Sequence, residues 1–134
     1  MKTEEAILRN SKSVAIVGLS NNPERASHHV GSYLKEQGYK IIPVNPAEKE
    51  ILGEVCYPDL ASIPEKIDCV DIFRKSEDVP PIVEEAIRCG AKAVWMQEGV
   101  INGVAAATAR QAGLKVVMDK CMLKEHVKMT GSGS

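Results

Sequence analysis

The run Gly18-Leu19-Ser20-Asn21-Asn22-Pro23-Glu24-Arg25-Ala26-Ser27 holds the densest set of groups suited to one kind of chemistry. Gly18 lets the backbone turn tightly and lets an anion come close. Ser20 and Ser27 supply hydroxyls, and Arg25 supplies a charged fork. A helical pattern begins near Ser27, so free N–H groups and a positive dipole end point at the same place; together these groups suit a phosphate. The run is not the dinucleotide fingerprint G-x-G-x-x-G, because Ser20 and Pro23 stand where glycines are needed. The ribose-gripping carboxylate is also missing from Pro43-Val44-Asn45-Pro46, so a phosphorylated ribose is not repelled there. No G-x-x-x-x-G-K-[ST] is present, and the first apolar run lacks the acidic pair of a phospho-receiver.

Other reactive side chains each have a plain structural role beside a functional one. His28 and His29 read as neutral first-turn residues, since a protonated ring would oppose the helix dipole; a phosphate contact by one of them is the functional alternative. Glu98 and Asp119 could form an acid/base pair. No nucleophile–base arrangement accompanies them, so no catalytic residue is assigned, and Asp119 is expected to cap the last helix. Cys56, Cys69, Cys89 and Cys121 form no C-x-x-C, and His28, His29 and His126 lie far from most of them, which argues against a metal site or a disulfide framework. Cys69 and Cys89 read as small buried hydrophobes. Cys121, beside Lys120 near a helix start, is either a structural thiol or one with favoured thiolate. Trp95 reads as core, and Met96, Met118 and Met122 as core or as a soft wall.

The chain around these residues has 134 amino acids, enough for one core. Its 17 Lys and Arg nearly cancel its 18 Asp and Glu, leaving a net charge of −1. That balance argues against a nucleic-acid or anionic-membrane binder. One Trp, three Tyr and one Phe are too few for a base-stacking platform. No apolar run approaches the ~20 residues of a membrane span. The start carries no apolar signal region, and a reduced, cytoplasmic protein is expected. One domain is expected over residues 1–130, with 131–134, Gly-Ser-Gly-Ser, a flexible tail or cloning remnant.

Short apolar runs alternate with helical periodicity. Strands are predicted at 14–19, 39–44, 54–56, 69–73, 93–96 and 115–118. Helices are predicted at 27–37, from a cap at Asp78 to about Cys89, from a cap at Asn102 to Gly113, and briefly at 122–128. Strands this uniformly apolar imply a parallel sheet covered on both faces. Right-handed crossovers then give an α/β, doubly wound, Rossmann-like fold. Such sheets bind ligands beyond the carboxyl ends of their strands, where the strand order reverses. Five loops follow those ends: 18–27, Asn45-Pro46, Arg74-Lys75-Ser76, Gln97-Glu98-Gly99 and Asp119-Lys120-Cys121.

The motifs Val-Gly-Leu-Ser-x-x-Pro-x-Arg-x-Ser, Gly-Tyr-x-Ile-Ile-Pro-Val-Asn-Pro, Val-Asp-Ile-Phe-Arg-x-Ser-Glu, Ala-Val-Trp-Met-Gln-x-Gly-Val and Val-Met-Asp-x-Cys occur in that order, each at a strand end. Over about residues 4–126 the chain resembles the small stand-alone bacterial CoA-binding proteins, which are similar to the N-terminal CoA-binding domain of the succinyl-CoA synthetase α subunit. The resemblance implies that Gly18, Leu19, Ser20 and Arg25 hold the phosphates, with Asn21 beside them and Ser27 at the helix start. It implies that Val44, Asn45 and Pro46 pack by the adenosine or its ribose phosphate. Phe73, Arg74 and Ser76 would line the adenine and pantetheine path. Gln97, Glu98 and Gly99 stand in place of the synthetase's Thr-Glu-Gly turn, and Cys121 falls near the thiol end. The synthetase loop is richer in glycine than Asn21-Asn22-Pro23, and its phosphohistidine domain and β subunit have no counterpart here. The implied ligand is coenzyme A or a short acyl-CoA, bound without catalysis. The alternatives are a nucleotide- or redox-sensing regulator that takes NAD- or ADP-type ligands, and an accessory acyl-CoA enzyme. A homodimer or an unidentified protein partner stays open.

Overall fold

The computed structural model describes residues 2–131. In chain order the elements are α1 (Thr3–Asn10), β1 (Ser13–Val17), α2 (Ala26–Glu36), β2 (Lys40–Val44), β3 (Glu50–Ile51), β4 (Glu54–Val55), β5 (Cys69–Ile72), α3 (Val79–Arg88), β6 (Ala93–Met96), α4 (Gly103–Gln111), β7 (Lys115–Val117) and α5 (Met122–Thr130). Five strands form one sheet in the order β2-β1-β5-β6-β7, every pairing parallel. β3 and β4 make a separate antiparallel hairpin. The order reverses between β1 and β5, which places the switch point there. The doubly wound, Rossmann-like expectation holds.

Two apolar layers sandwich the sheet. Ala15, Val17, Ile42, Val44, Val70, Ile72, Val94 and Met96 face α3 and α4, whose Val83, Ala86, Ala105 and Ala109 meet them. Val14, Ile16, Ile41, Cys69, Trp95 and Val117 face α1, α2 and α5. Each fully buried aliphatic side chain contributes roughly 1.5–3 kcal/mol. Every residue of β1, β5 and β6 is buried, as expected of a sheet covered on both sides.

The structure shortens several predicted elements and adds some. β1 ends at Val17 rather than Leu19, and β5 at Ile72 rather than Phe73, because Gly18 and Phe73 already turn into the rim loops. Asp78 stands at the start of α3, but its side chain makes no cap, since a 3-10 turn over Ser76–Asp78 leads directly into the helix. Pro80 and Pro81 occupy the first turn as expected. Asn102 does cap α4, accepting a bond from the Ala105 amide at 2.9 Å. The strand expected at 54–56 is one arm of the β3–β4 hairpin. α1 was not expected; its Ile7 and Leu8 are buried on the α5 side of the sheet. The tail expected at 131–134 falls mostly on 132–134, outside the described residues, and Gly131 is the left-handed end of α5.

Candidate functional site

At the carboxyl edge of the sheet, an amide from each of four loops bonds the last carbonyl of the neighbouring strand. Gly18 N–H donates to Val44, Phe73 N–H to Val17, Gln97 N–H to Ile72 and Lys120 N–H to Met96, at 2.9–3.3 Å. This staircase locks all five predicted loops onto one rim. Gly18 is irreplaceable there: its φ is +88°, and a Cβ would come within 2.3 Å of the Phe73 carbonyl oxygen.

The loop after β1 is fixed by side chains. Ser20 N–H donates to Ser27 Oγ at 2.9 Å, and Asn22 N–H donates to Ser20 Oγ at 3.0 Å. The Leu19 carbonyl accepts from Asn45 Nδ2 at 3.0 Å, and the Ser20 carbonyl accepts from His28 Nδ1 at 2.9 Å. Because a carbonyl only accepts, His28 carries its proton on Nδ1. The amides of Leu19, Asn21, Ala26 and Ser27 make no hydrogen bond among the described residues, and Arg25 opens α2 without a side-chain cap. Four unpaired donors therefore lie along the segment 19–27 that leads into α2, at whose start the helix dipole favours an anion.

Two connected cavities open at the switch point and share Gly18, Arg74 and Asp78. The larger, about 850 Å³, is a groove lined by Ser20, Arg25, Asn45, Phe73, Arg74, Gln97, Glu98 and Cys121, with Ala26, Val30, Lys75 and Val100. The smaller, about 380 Å³, has an apolar floor of Val17, Val44, Pro46, Pro58, Leu60, Pro81 and Ile82. Its margin is acidic: Asp59, Glu77, Asp78 and Glu85. Arg25, Arg74 and Lys75 make no ion pair among the described residues, so the groove presents uncompensated positive charge beside that acidic margin.

Most predicted site residues meet on these walls, and some do not. Leu19 is 0% exposed, its side chain in the core against α2. Ser27 is 6% exposed and faces Ser20 rather than the groove. Asn21 is exposed and lines neither cavity. Ser76 and Gly99 brace each other: the Ile101 amide donates to Ser76 Oγ at 2.9 Å, and Ser76 Oγ reaches the Gly99 carbonyl at 3.4 Å. Asp119 is no helix cap; with φ +60° it accepts from the Gly99 amide at 2.7 Å and ties two rim loops together. Gln97 is nearly buried and accepts from the Met122 amide at 3.1 Å, fixing the start of α5 under the groove. Glu98 is paired with Lys124 at 3.0 Å. Sequence reasoning missed the pocket walls Pro58, Leu60 and Ile82. The position of α3 directly after the switch-point loop was the signal that could have found Ile82.

Below the rim, on the α2 and α5 side, lies a set of buried polar groups. Asp71 is 0% exposed and neither carboxylate oxygen has a well-formed hydrogen bond among the described residues, so desolvation, opposed only by the nearby Ile72 backbone, pushes its pKa well above the ordinary range. Burial, and then the neighbouring Asp71, push the Cys69 thiol up as well. The Tyr33 hydroxyl and His126 Nδ1 lie 2.6 Å apart, and burial lowers the His126 pKa. Among the described residues, no group of three or more His, Cys, Asp or Glu is placed to hold a metal ion. No described helix is long and apolar enough to cross a membrane.

The sequence and fold match known proteins. The chain is 41% identical over 120 residues to the Bacillus subtilis protein YneT, covering 90% of this chain and 89% of that one. A hypothetical protein of Pyrococcus horikoshii superposes with a TM-score of 0.93 at 42% identity, covering 98% of this chain and 94% of its own. Acetate–CoA ligase [ADP-forming] I of Archaeoglobus fulgidus is 35% identical over 104 residues; they are 78% of this chain but only 14% of the ligase. A family model described as a CoA binding domain matches residues 12–127, a span that takes in the phosphate-type loop, the switch point and every rim loop. By that match the chain belongs to the CoA-binding domain family.

Proposed function

We propose that this protein binds coenzyme A or a short acyl-CoA at the carboxyl edge of its sheet, without chemistry of its own. The observation that carries the reading is the junction at 18–27: Gly18, Ser20, Arg25 and Ala26 line a groove beside an apolar pocket, and Arg25 and the amides of Leu19, Asn21, Ala26 and Ser27 have no partner among the described residues. The pyrophosphate belongs at that junction. The adenine belongs in the smaller pocket, where Val44, Pro46 and Ile82 offer apolar faces and the acidic margin suits an exocyclic amine. The pantetheine arm runs along Phe73 and Gln97 toward Cys121.

A binding role also fits the rim carboxylates, which are engaged in structure: Asp119 holds the Gly99 amide and Glu98 holds Lys124. A thermal-shift panel of CoA, dephospho-CoA, NAD, NADP and ADP tests the ligand class. CoA is expected to give the largest shift; an equal or larger shift with NAD or ADP alone would replace this reading with a nucleotide sensor. Mass spectrometry of acetyl-, propionyl- and succinyl-CoA incubated with the protein is expected to show them unchanged.

A further inference from the structure

We infer that His28 is a positioning residue that presets the anion loop, an inference that rests on the reading of 18–27 as a phosphate site. The peptide between Leu19 and Ser20 is held at both ends, its carbonyl by Asn45 and its N–H by Ser27. The next peptide, between Ser20 and Asn21, has one tether among the described residues: the His28 Nδ1–H bond to the Ser20 carbonyl at 2.9 Å. Ser20 lines the groove, and the bond to His28 engages its carbonyl, so that lone pair is not offered to an anion there. Released, this peptide can flip and present a carbonyl lone pair where an anion needs a donor. His28 is partly buried and lines neither cavity, so it acts through the backbone and not by touching the ligand. The role also fixes the ring: Nδ1 carries the proton, and Nε2 is left unprotonated in the neutral form.

Two measurements on the full chain test this. Nitrogen-15 NMR of the ligand-free protein is expected to show His28 as the Nδ1–H tautomer; an Nε2–H tautomer overturns the tether. Calorimetric titration of CoA then compares wild type with His28→Ala, His28→Asn and His28→Gln. Asn places an amide nitrogen near the Nδ1 position, whereas Gln reaches toward Nε2. The expected pattern is a loss of roughly 5- to 10-fold for Ala and Gln, with Asn within about 3-fold of wild type and the melting temperatures of the free proteins little changed. Unchanged affinity in His28→Ala overturns the inference. So does rescue by Gln and not Asn, which would make the ring a direct ligand contact. If wild type binds no CoA, the reading of the site fails, and the tautomer still decides whether the tether exists.

Discussion

At Gly18 steric and dihedral demands coincide. An added methyl would meet the Phe73 carbonyl oxygen at 2.3 Å, and the φ of +88° strains any L side chain. Gly18→Ala is expected to destabilise the protein by at least about 2 kcal/mol in urea unfolding and to abolish CoA binding, since β1 and the switch-point loop must move apart. Arg25 has the opposite character: it is exposed, bears no structural bond beyond its helix-start backbone, and its loss should leave the fold intact. Arg25→Ala is expected to weaken CoA binding by about 1.5–3 kcal/mol in calorimetry, as for a lost charge-assisted bond. Asp71 makes a pH prediction. Its folded pKa is raised by burial, so the unfolded chain gives up this proton at lower pH than the folded one does. Stability is therefore full below the unfolded carboxylate pKa of about 3.9 and is lost as pH rises toward the folded value, by up to about 1.4 kcal/mol per pH unit. Asp71→Asn removes that dependence. Urea unfolding between pH 4 and pH 8 is expected to show the variant gaining on wild type as pH rises, and parallel curves would mean that Asp71 is ionised in the fold.

Among the elements, α4 shows how a helix cap also builds the rim. Asn102 accepts from the Ala105 amide while its Nδ2 donates to the Ser76 carbonyl at 3.0 Å, and Ser76 Oγ accepts from the Ile101 amide. Asn102→Ala should cost about 1–2 kcal/mol, and the double variant with Ser76→Ala less than the sum of the singles, because both changes break one network. Additive losses in thermal unfolding would separate the cap from the loop. This cap was legible from sequence, as were the five sheet strands and the convergence of their loops, because buried parallel strands are short, uniformly apolar runs bounded by Gly and Pro. α1 was not legible: eight residues with buried Ile7 and Leu8 alone carry too little periodicity. Of the β3–β4 hairpin only the arm at 54–56 was expected; its strands are two residues each, and its turn puts Leu52, at φ +55°, where Asn or Gly is usual. Alternation in Cys69-Val70-Asp71-Ile72 implied nothing about solvent, since both faces are covered and Asp71 is buried with the rest. At the candidate site, residue types marked loops that the fold brings to the two cavities, but not how each residue is used within them. Leu19 and Ser27 are buried and Asn21 lines neither cavity, while their amides have no partner among the described residues, and that depends on peptide orientations set by contacts as distant in sequence as Asn45.

For the molecule as a whole, the distribution of charge matters more than its sum. The net charge is −1, yet Arg25, Arg74 and Lys75 line the groove with no ion pair among the described residues, while Asp59, Glu77, Asp78 and Glu85 line the adjoining pocket, Arg74 and Asp78 being common to both. A polyanion is thus attracted to one cavity and repelled from the margin of the other. If adenine fills the apolar pocket, the 3′-phosphate of CoA cannot follow it inward past four carboxylates. It must turn outward to the groove, where Arg74 and Lys75 are the cations within the same wall as Gly18 and Asp78. Exposed charges interact through solvent and are screened within about 8–10 Å at physiological salt. The affinity for CoA should therefore fall between 50 and 500 mM salt, and more steeply than the affinity for dephospho-CoA, which lacks that phosphate. Arg74→Gln combined with Lys75→Gln should bring the two salt slopes together while leaving the dephospho-CoA affinity within about 3-fold. Parallel slopes in the wild-type protein would place the 3′-phosphate in open solvent and remove Arg74 and Lys75 from ligand selection.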